Sequence, residues 1–233
     1  MLFCRATRRA WGRIAAFLDD PQELAYNREF RSVLGSYKGV KVLAISTGIG
    51  GCSAGIAVEE LHSIGVTAAI RIGSCGALQP GIRLGELILV SGAVRDDGAS
   101  KAYVDVAYPA VADTELLCAC IDSAKALGVK HRVGLAHSHE SFYHDESDAE
   151  SAYWSQKGVL GADMETAALY TIGRLRGMQA ASILNNVVVY GEDTADAIGG
   201  YVDGENLTAM GERNEILTAL EAFVRLEKGR GEG

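Results

Sequence analysis

Two apolar runs of strand length, Lys41–Ser46 and Val66–Ile72, flank a stretch with helical periodicity, Ser53–Ile64. Short apolar runs bounded by glycine read as buried strands, and the three elements together read as a βαβ unit of an α/β fold. Further strand-length runs fall at Glu86–Gly92, Val133–Ser138 and Ala180–Tyr190. Ala112–Leu127 has the pattern of an amphipathic helix, with Asp113 as N-cap, Leu116, Leu117, Cys120, Ile121, Ala124 and Leu127 on one side, and Gly128 as stop. A second helix is predicted over Thr166–Arg176, closed by Gly177. A third covers Leu207–Leu226, with Ile216, Leu217, Leu220, Phe223 and Val224 inward. Arg13–Leu18 begins a short helix that stops near Pro21. Met1–Gly12 shows no strand pattern, and Glu227–Gly233 reads as a frayed polar tail.

The polar positions that interrupt the apolar runs are the informative ones. Arg71 lies near the carboxyl end of Val66–Ile72, where open α/β sheets bind ligands, and an arginine is rarely buried without a partner. Gly73-Ser74-Cys75-Gly76 follows, read as a tight turn able to aim N–H groups at an anion. Arg71, the Ser74 hydroxyl and backbone donors would make an oxyanion or phosphate pocket. The alternative is that Arg71 pairs with a structural carboxylate. Thr47-Gly48-Ile49-Gly50-Gly51 raises a dinucleotide fold as a rival. It is weakened by Ser53 at the third glycine position and by Arg71 where a ribose-binding acid would stand. His137, His139 and His144 stand near acidic residues, but their spacing matches no standard metal site. A polar loop over a pocket is the preferred reading. Asp163 and Glu165 open a helix, where acids suit the helix dipole. An ionised Glu165 could equally accept both hydroxyls of a ribose.

Composition narrows the class. A chain of 233 residues fits one domain, residues 1–233, and 48% hydrophobic content supplies a large core. Glycine, at 28 residues, is about 12% against a usual 7% or so, an excess suited to close backbone approach to a ligand. A net charge of −8 argues against a nucleic-acid footprint. Five cysteines without a C-x-x-C pair read as reduced thiols of a cytoplasmic protein. No apolar run is long enough to cross a membrane, and no signal-peptide pattern opens the chain.

STGIGG (Ser46–Gly51), AVEEL (Ala57–Leu61), RIGSCGALQP (Arg71–Pro80), GAVRDDGAS (Gly92–Ser100), YPAVAD (Tyr108–Asp113) and ADMETAALY (Ala162–Tyr170) occur in this order. Together they resemble the nucleoside phosphorylase family, nearest to its uridine phosphorylase branch, over about Arg13 to Leu226. The resemblance implies a three-layer α/β/α fold with a mixed, twisted central sheet. It also implies reversible phosphorolysis of a nucleoside to free base and ribose 1-phosphate. It places Arg71, Ser74 and Arg28, the last from a neighbouring subunit, on phosphate, with Glu29 at the dimer contact. Met164, Glu165 and Ser74 go to the ribose. Cys75, Gly76, Phe142 and Asn186 go to the base. The catalytic set is Arg71, Glu165 and Asn186. Inorganic phosphate is a co-substrate, no metal or organic cofactor is needed, and the chain self-associates to a dimer or hexamer.

The chain departs from the family in several places. Glu146 and Asp148 stand where uridine phosphorylases carry a glutamine and an arginine that read uracil. Asn186 replaces both the aspartate of purine nucleoside phosphorylases and the arginine of uridine phosphorylases. A purine nucleoside phosphorylase, a nucleosidase of the same fold and a non-catalytic nucleoside-binding paralogue therefore stay open. At the start, the family's Gly-Asp-Pro-x-Arg phosphate motif should fall at Ala6–Ala10, which reads Ala-Thr-Arg-Arg-Ala, and the strand before it is missing. With suitable codons, Phe3–Trp11 read from the third base of the Phe3 codon gives Leu-Pro-Gly-Asp-Pro-Ala-Arg-Val. This points to a single-base frame error healed near Gly12.

Overall fold

The computed structural model describes residues 2–4, 8–191 and 201–231, with side chains at 12–191 and 207–230. Among the described residues, ten strands form one sheet with both parallel and antiparallel pairings. Its middle is the βαβ unit read from the pattern. β4 (Val40–Ser46) leads through a glycine turn into α2 (Gly51–Ser63), and β5 (Ala68–Ala77) follows. Glycines at φ 74° (Gly48) and 92° (Gly50) make that turn, a conformation other residues adopt only with strain.

β5 alternates faces, as a pleated strand must. Ile70 and Ile72 join one core layer with β4, α1 (Arg8–Ala15), α4 (Thr114–Ala126) and α7 (Tyr201–Gly231). Ala69 and Cys75 join the other, with α2, α3 (Gly98–Tyr103) and α6 (Thr166–Leu175). Two helical layers on one mixed sheet give the three-layer arrangement the resemblance implies. Asp113 caps α4 by accepting from Leu116 N–H at 2.9 Å, and Gly128 (φ 66°) and Gly177 (φ 69°) follow the ends of α4 and α6.

The mixed sheet is partly closed. β5 pairs in parallel with β10 (Gln179–Val188), β10 with β6 (Leu87–Asp96), β6 with β8 (His131–His139), β8 with β9 (Gly161–Asp163), and β9 returns to β5. These five strands close on themselves, while β4, β3 (Phe30–Tyr37) and β2 (Asp19–Asn27) extend the sheet outward; β7 (Ala110–Val111) pairs with β6. Register shifts at Val90/Gly92 and Asn186/Val188 supply the bends that closure needs.

Four local expectations are corrected. Gly73–Gly76 is not a turn: β5 runs on to Ala77, because β10 pairs with it as far as Gly76. A strand is present near the start: β1 (Leu2–Cys4) lies parallel between β4 and β5. The helix expected over Arg13–Leu18 starts earlier, at Arg8, and Pro21 lies inside β2. The supposed tail is helical to Gly231, where Arg230 donates to Gln179 Oε1 at 2.6 Å. Residues 5–7 and the side chains of 8–11 lie outside the described residues, and with them every side chain of the altered phosphate motif.

Candidate active site

The site is built on the β5 face that meets α2 and α6. Arg71 points into that layer with its side chain 5% exposed. Its Nε donates to Asp163 Oδ2 at 2.9 Å, and its Nη2 lies 2.6 Å from Glu165 Oε2. The guanidinium folds back over Gly73, where a Cβ would sit 2.8 Å from both Nη1 and Nη2. That close approach, not a turn, is what Gly73 provides.

Asp163 ends β9 and is held from several sides. Ser138 Oγ donates to its Oδ1 at 2.6 Å, and Thr166 donates to Oδ2 from both its backbone (3.0 Å) and its hydroxyl (2.6 Å). Burial alone would raise the Asp163 pKa. The Arg71 charge and the bonds from Ser138, Thr166 and Arg71 outweigh burial and hold it below the ordinary value. Burial would likewise lower the Arg71 pKa, but Glu165 and then Asp163 raise it, so the guanidinium stays charged. Glu165, at the N-terminus of α6, turns its other oxygen to the glycine turn, where Gly50 N–H donates to Oε1 at 2.6 Å. The carboxylate thus joins two loops that the sequence separates by 115 residues.

Arg71 does pair with a structural carboxylate, Asp163, and the same guanidinium reaches Glu165. Ser74 and Gly76, half-buried, and Cys75, buried, lie further along β5, with Ser74 in register with Asn185 and Cys75 with Asn186. Met164 is half-buried between Asp163 and Glu165. Phe142 is 37% exposed on the segment between β8 and α5 (Ser147–Gln156), edge-on to Tyr143 with ring centroids 4.9 Å apart. Arg28 sits at the exposed tip of the β2–β3 hairpin with φ 55°.

Asn186 is wholly buried, and one N–H of its amide donates to the Arg83 carbonyl at 3.2 Å, which leaves the second N–H and the amide oxygen outside that bond. The sequence reading treated Asp163 only as an acid at a helix start and passed over Ser138 and Thr166, which fix it. Arg95, also buried, is different in kind from Arg71. Its guanidinium bonds Ser100 Oγ and the carbonyls of Ser100, Val104, Asp105 and Tyr108, so it holds a loop and faces no carboxylate in these contacts.

A buried guanidinium between two carboxylates, and a glycine turn delivering an N–H to one of them, set a polar site into a partly closed mixed sheet covered by helices on both faces. The family model described as the phosphorylase superfamily matches residues 6–198, and the chain belongs to that superfamily. It is 42% identical to a uridine phosphorylase of Thermococcus kodakarensis over 183 residues, covering 73% of this chain and 66% of that one. It is 38% identical to a guanosine phosphorylase of Halorubrum lacusprofundi, covering 79% and 78%. The solved uridine phosphorylase of Vibrio fischeri superposes with a TM-score of 0.90 at 47% identity, covering 96% of this chain and 91% of that one.

Proposed function

We propose that the protein is a nucleoside phosphorylase acting on a uridine-type pyrimidine ribonucleoside, a pentosyltransferase that yields free base and ribose 1-phosphate. The observation that carries this reading is the contact between Arg71 and Glu165, with Glu165 anchored on Gly50. Arg71 and Ser74 hold phosphate. Glu165 accepts the ribose hydroxyls, and Met164 packs on the sugar. As the glycosidic bond breaks, its electron pair leaves with the base, the sugar becomes oxocarbenium-like and a phosphate oxygen closes on C1′. Catalysis is positioning and charge stabilisation, with phosphate on one face and Phe142, Cys75 and Gly76 against the base. The chemistry calls for no metal or organic cofactor. The protein works in the cytoplasm as a homodimer or a hexamer made of three dimers, with Arg28 crossing to the neighbouring phosphate site.

A purine is the second candidate base. Glu146 and Asp148 replace the residues that would read uracil, and a guanosine phosphorylase stands among the relatives. A nucleosidase fits less well, because such relatives lack the phosphate arginines and use a Ser-Asp pair where this chain has Asn185-Asn186. Base release from uridine, inosine, guanosine and adenosine, with and without phosphate, is the test. Phosphate-dependent release of uracil supports the main reading. Purine release moves the base assignment, release without phosphate makes the protein a nucleosidase, and no release leaves the non-catalytic paralogue.

A further inference from the structure

Ser138 faces the Arg71 site, so its neighbour along β8, His137, faces the opposite way. There it meets Asp96, at the end of β6, and Glu150, in the first turn of α5. Its side chain is 3% exposed. His137 Nε2 lies 2.9 Å from Asp96 Oδ2 and 3.8 Å from Glu150 Oε1, and one ligating atom from each of the three residues lies within 4.8 Å of the other two. His144 Nε2 lies 3.1 Å from the other Glu150 oxygen, Oε2, and orients that carboxylate. Trp154 walls the cluster, its ring centroid 5.1 Å from that of His137.

A hydrogen-bonded pair does not account for this arrangement. A neutral imidazole presents at most one N–H at Nε2, yet two carboxylates face that atom. Among the described residues, Lys101 also touches the cluster, at the other oxygen of Asp96, 3.5 Å away. Two negative charges therefore converge on one nitrogen.

We propose that Asp96, His137 and Glu150 form a binding site for a divalent transition metal of the zinc class. Zinc bonds of about 2.0–2.2 Å in a tetrahedron set ligand atoms roughly 3.4 Å apart, and the observed 2.9 and 3.8 Å bracket that spacing. One imidazole with two carboxylates suits zinc, cobalt or manganese better than magnesium or calcium, which favour oxygen alone. The site escaped the sequence because its ligands come from three elements, and the near-regular run His137, His139, His144 does not itself form it. Its position gives it a structural task. His137 precedes and Glu150 follows the segment that bears Phe142, so a metal would tie both ends of that segment to the sheet and restrict its freedom.

The test is titration of chelator-stripped full-length protein with Zn²⁺ by calorimetry and with Co²⁺ by visible absorption. One equivalent per chain at micromolar affinity or tighter is expected, with ligand-field bands from Co²⁺ and a zinc-dependent rise in melting temperature. His137→Gln and Glu150→Gln should each weaken Zn²⁺ binding at least about tenfold and remove the melting shift. Glu150 is partly exposed, so its variant keeps the test valid should His137→Gln fail to fold. A double variant at His62, in α2, and His131, at the opposite end of β8 from the cluster and about 20 Å of strand away, should bind as the parent does. Less than one equivalent bound, binding unchanged in Glu150→Gln, or binding lost in the His62/His131 variant would overturn the site.

Discussion

Arg71 carries two burdens, and they separate by measurement. Replacing it with alanine leaves Asp163 and Glu165 buried without their cation, and breaking a buried pair from one side costs about 3–5 kcal/mol. Arg71→Ala should therefore melt well below the parent. If Arg71 also holds phosphate, KM for phosphate rises roughly tenfold to a hundredfold, the loss of one charged hydrogen-bond donor. A lowered melting temperature with unchanged phosphate KM would make Arg71 purely structural. Asp163 gives a pH signature. Its folded pKa lies below the ordinary 3.8, so its stabilisation is complete above that value and drains away as pH falls through the lowered one. Asp163→Asn should be less stable than the parent at neutral pH. Its unfolding free energy should also fall less steeply on acidification below pH 4 or so, measured by urea unfolding at stepped pH. A parallel acid limb in the two proteins would place the acid sensitivity elsewhere.

At the scale of elements, the capping and core-facing patterns are legible and the contacts across elements are not. Asp113 shows the first case: the sequence marks it as N-cap of α4, and its carboxylate accepts from Leu116 N–H. Asp113→Ala should cost about 1 kcal/mol of stability and leave both substrate KM values unchanged, since the cap lies on the far side of the sheet from Arg71. The βαβ unit was legible because its apolar runs are buried and bounded by glycine. α5 was not, because none of its residues is buried and no apolar stripe marks it. β1 is three residues long, too short for any pattern, and is defined only by the strands on either side. Gly73–Gly76 reads as a turn locally, but pairing with β10 keeps it extended, a tertiary choice between two conformations glycine permits. The pairing of Arg71 with Asp163 spans 92 residues, so the sequence yields both charges but not their meeting.

At the scale of the whole molecule, the charge count of the site argues for a second subunit. Around Arg71 the described chain sets one guanidinium against two carboxylates, a local excess of negative charge that opposes a phosphate dianion. The resemblance supplies cations from two further places, the altered stretch near Ala6–Ala10 and Arg28 of a neighbour. If the first is lost, phosphate KM stays high in the chain as given and falls when the alternate frame is restored in the gene. Equal KM values in the two forms would show that stretch to be dispensable. Arg28 is the more demanding case, because it stands at the tip of an edge hairpin whose β2 strand is exposed at all nine positions, the geometry of an uncovered sheet edge. If it completes the neighbour's site, each active centre takes Arg71 from one chain and Arg28 from the other. Arg28→Ala and Arg71→Ala proteins should then be weak alone. Unfolded together and refolded, they form mixed dimers in which one centre has both arginines and the other neither. With random pairing, half the dimers are mixed, so roughly a quarter of parental activity should return. Mixed dimers that form without recovering activity would assign Arg28 to its own chain, and a monomer by light scattering at micromolar concentration would remove the shared site altogether.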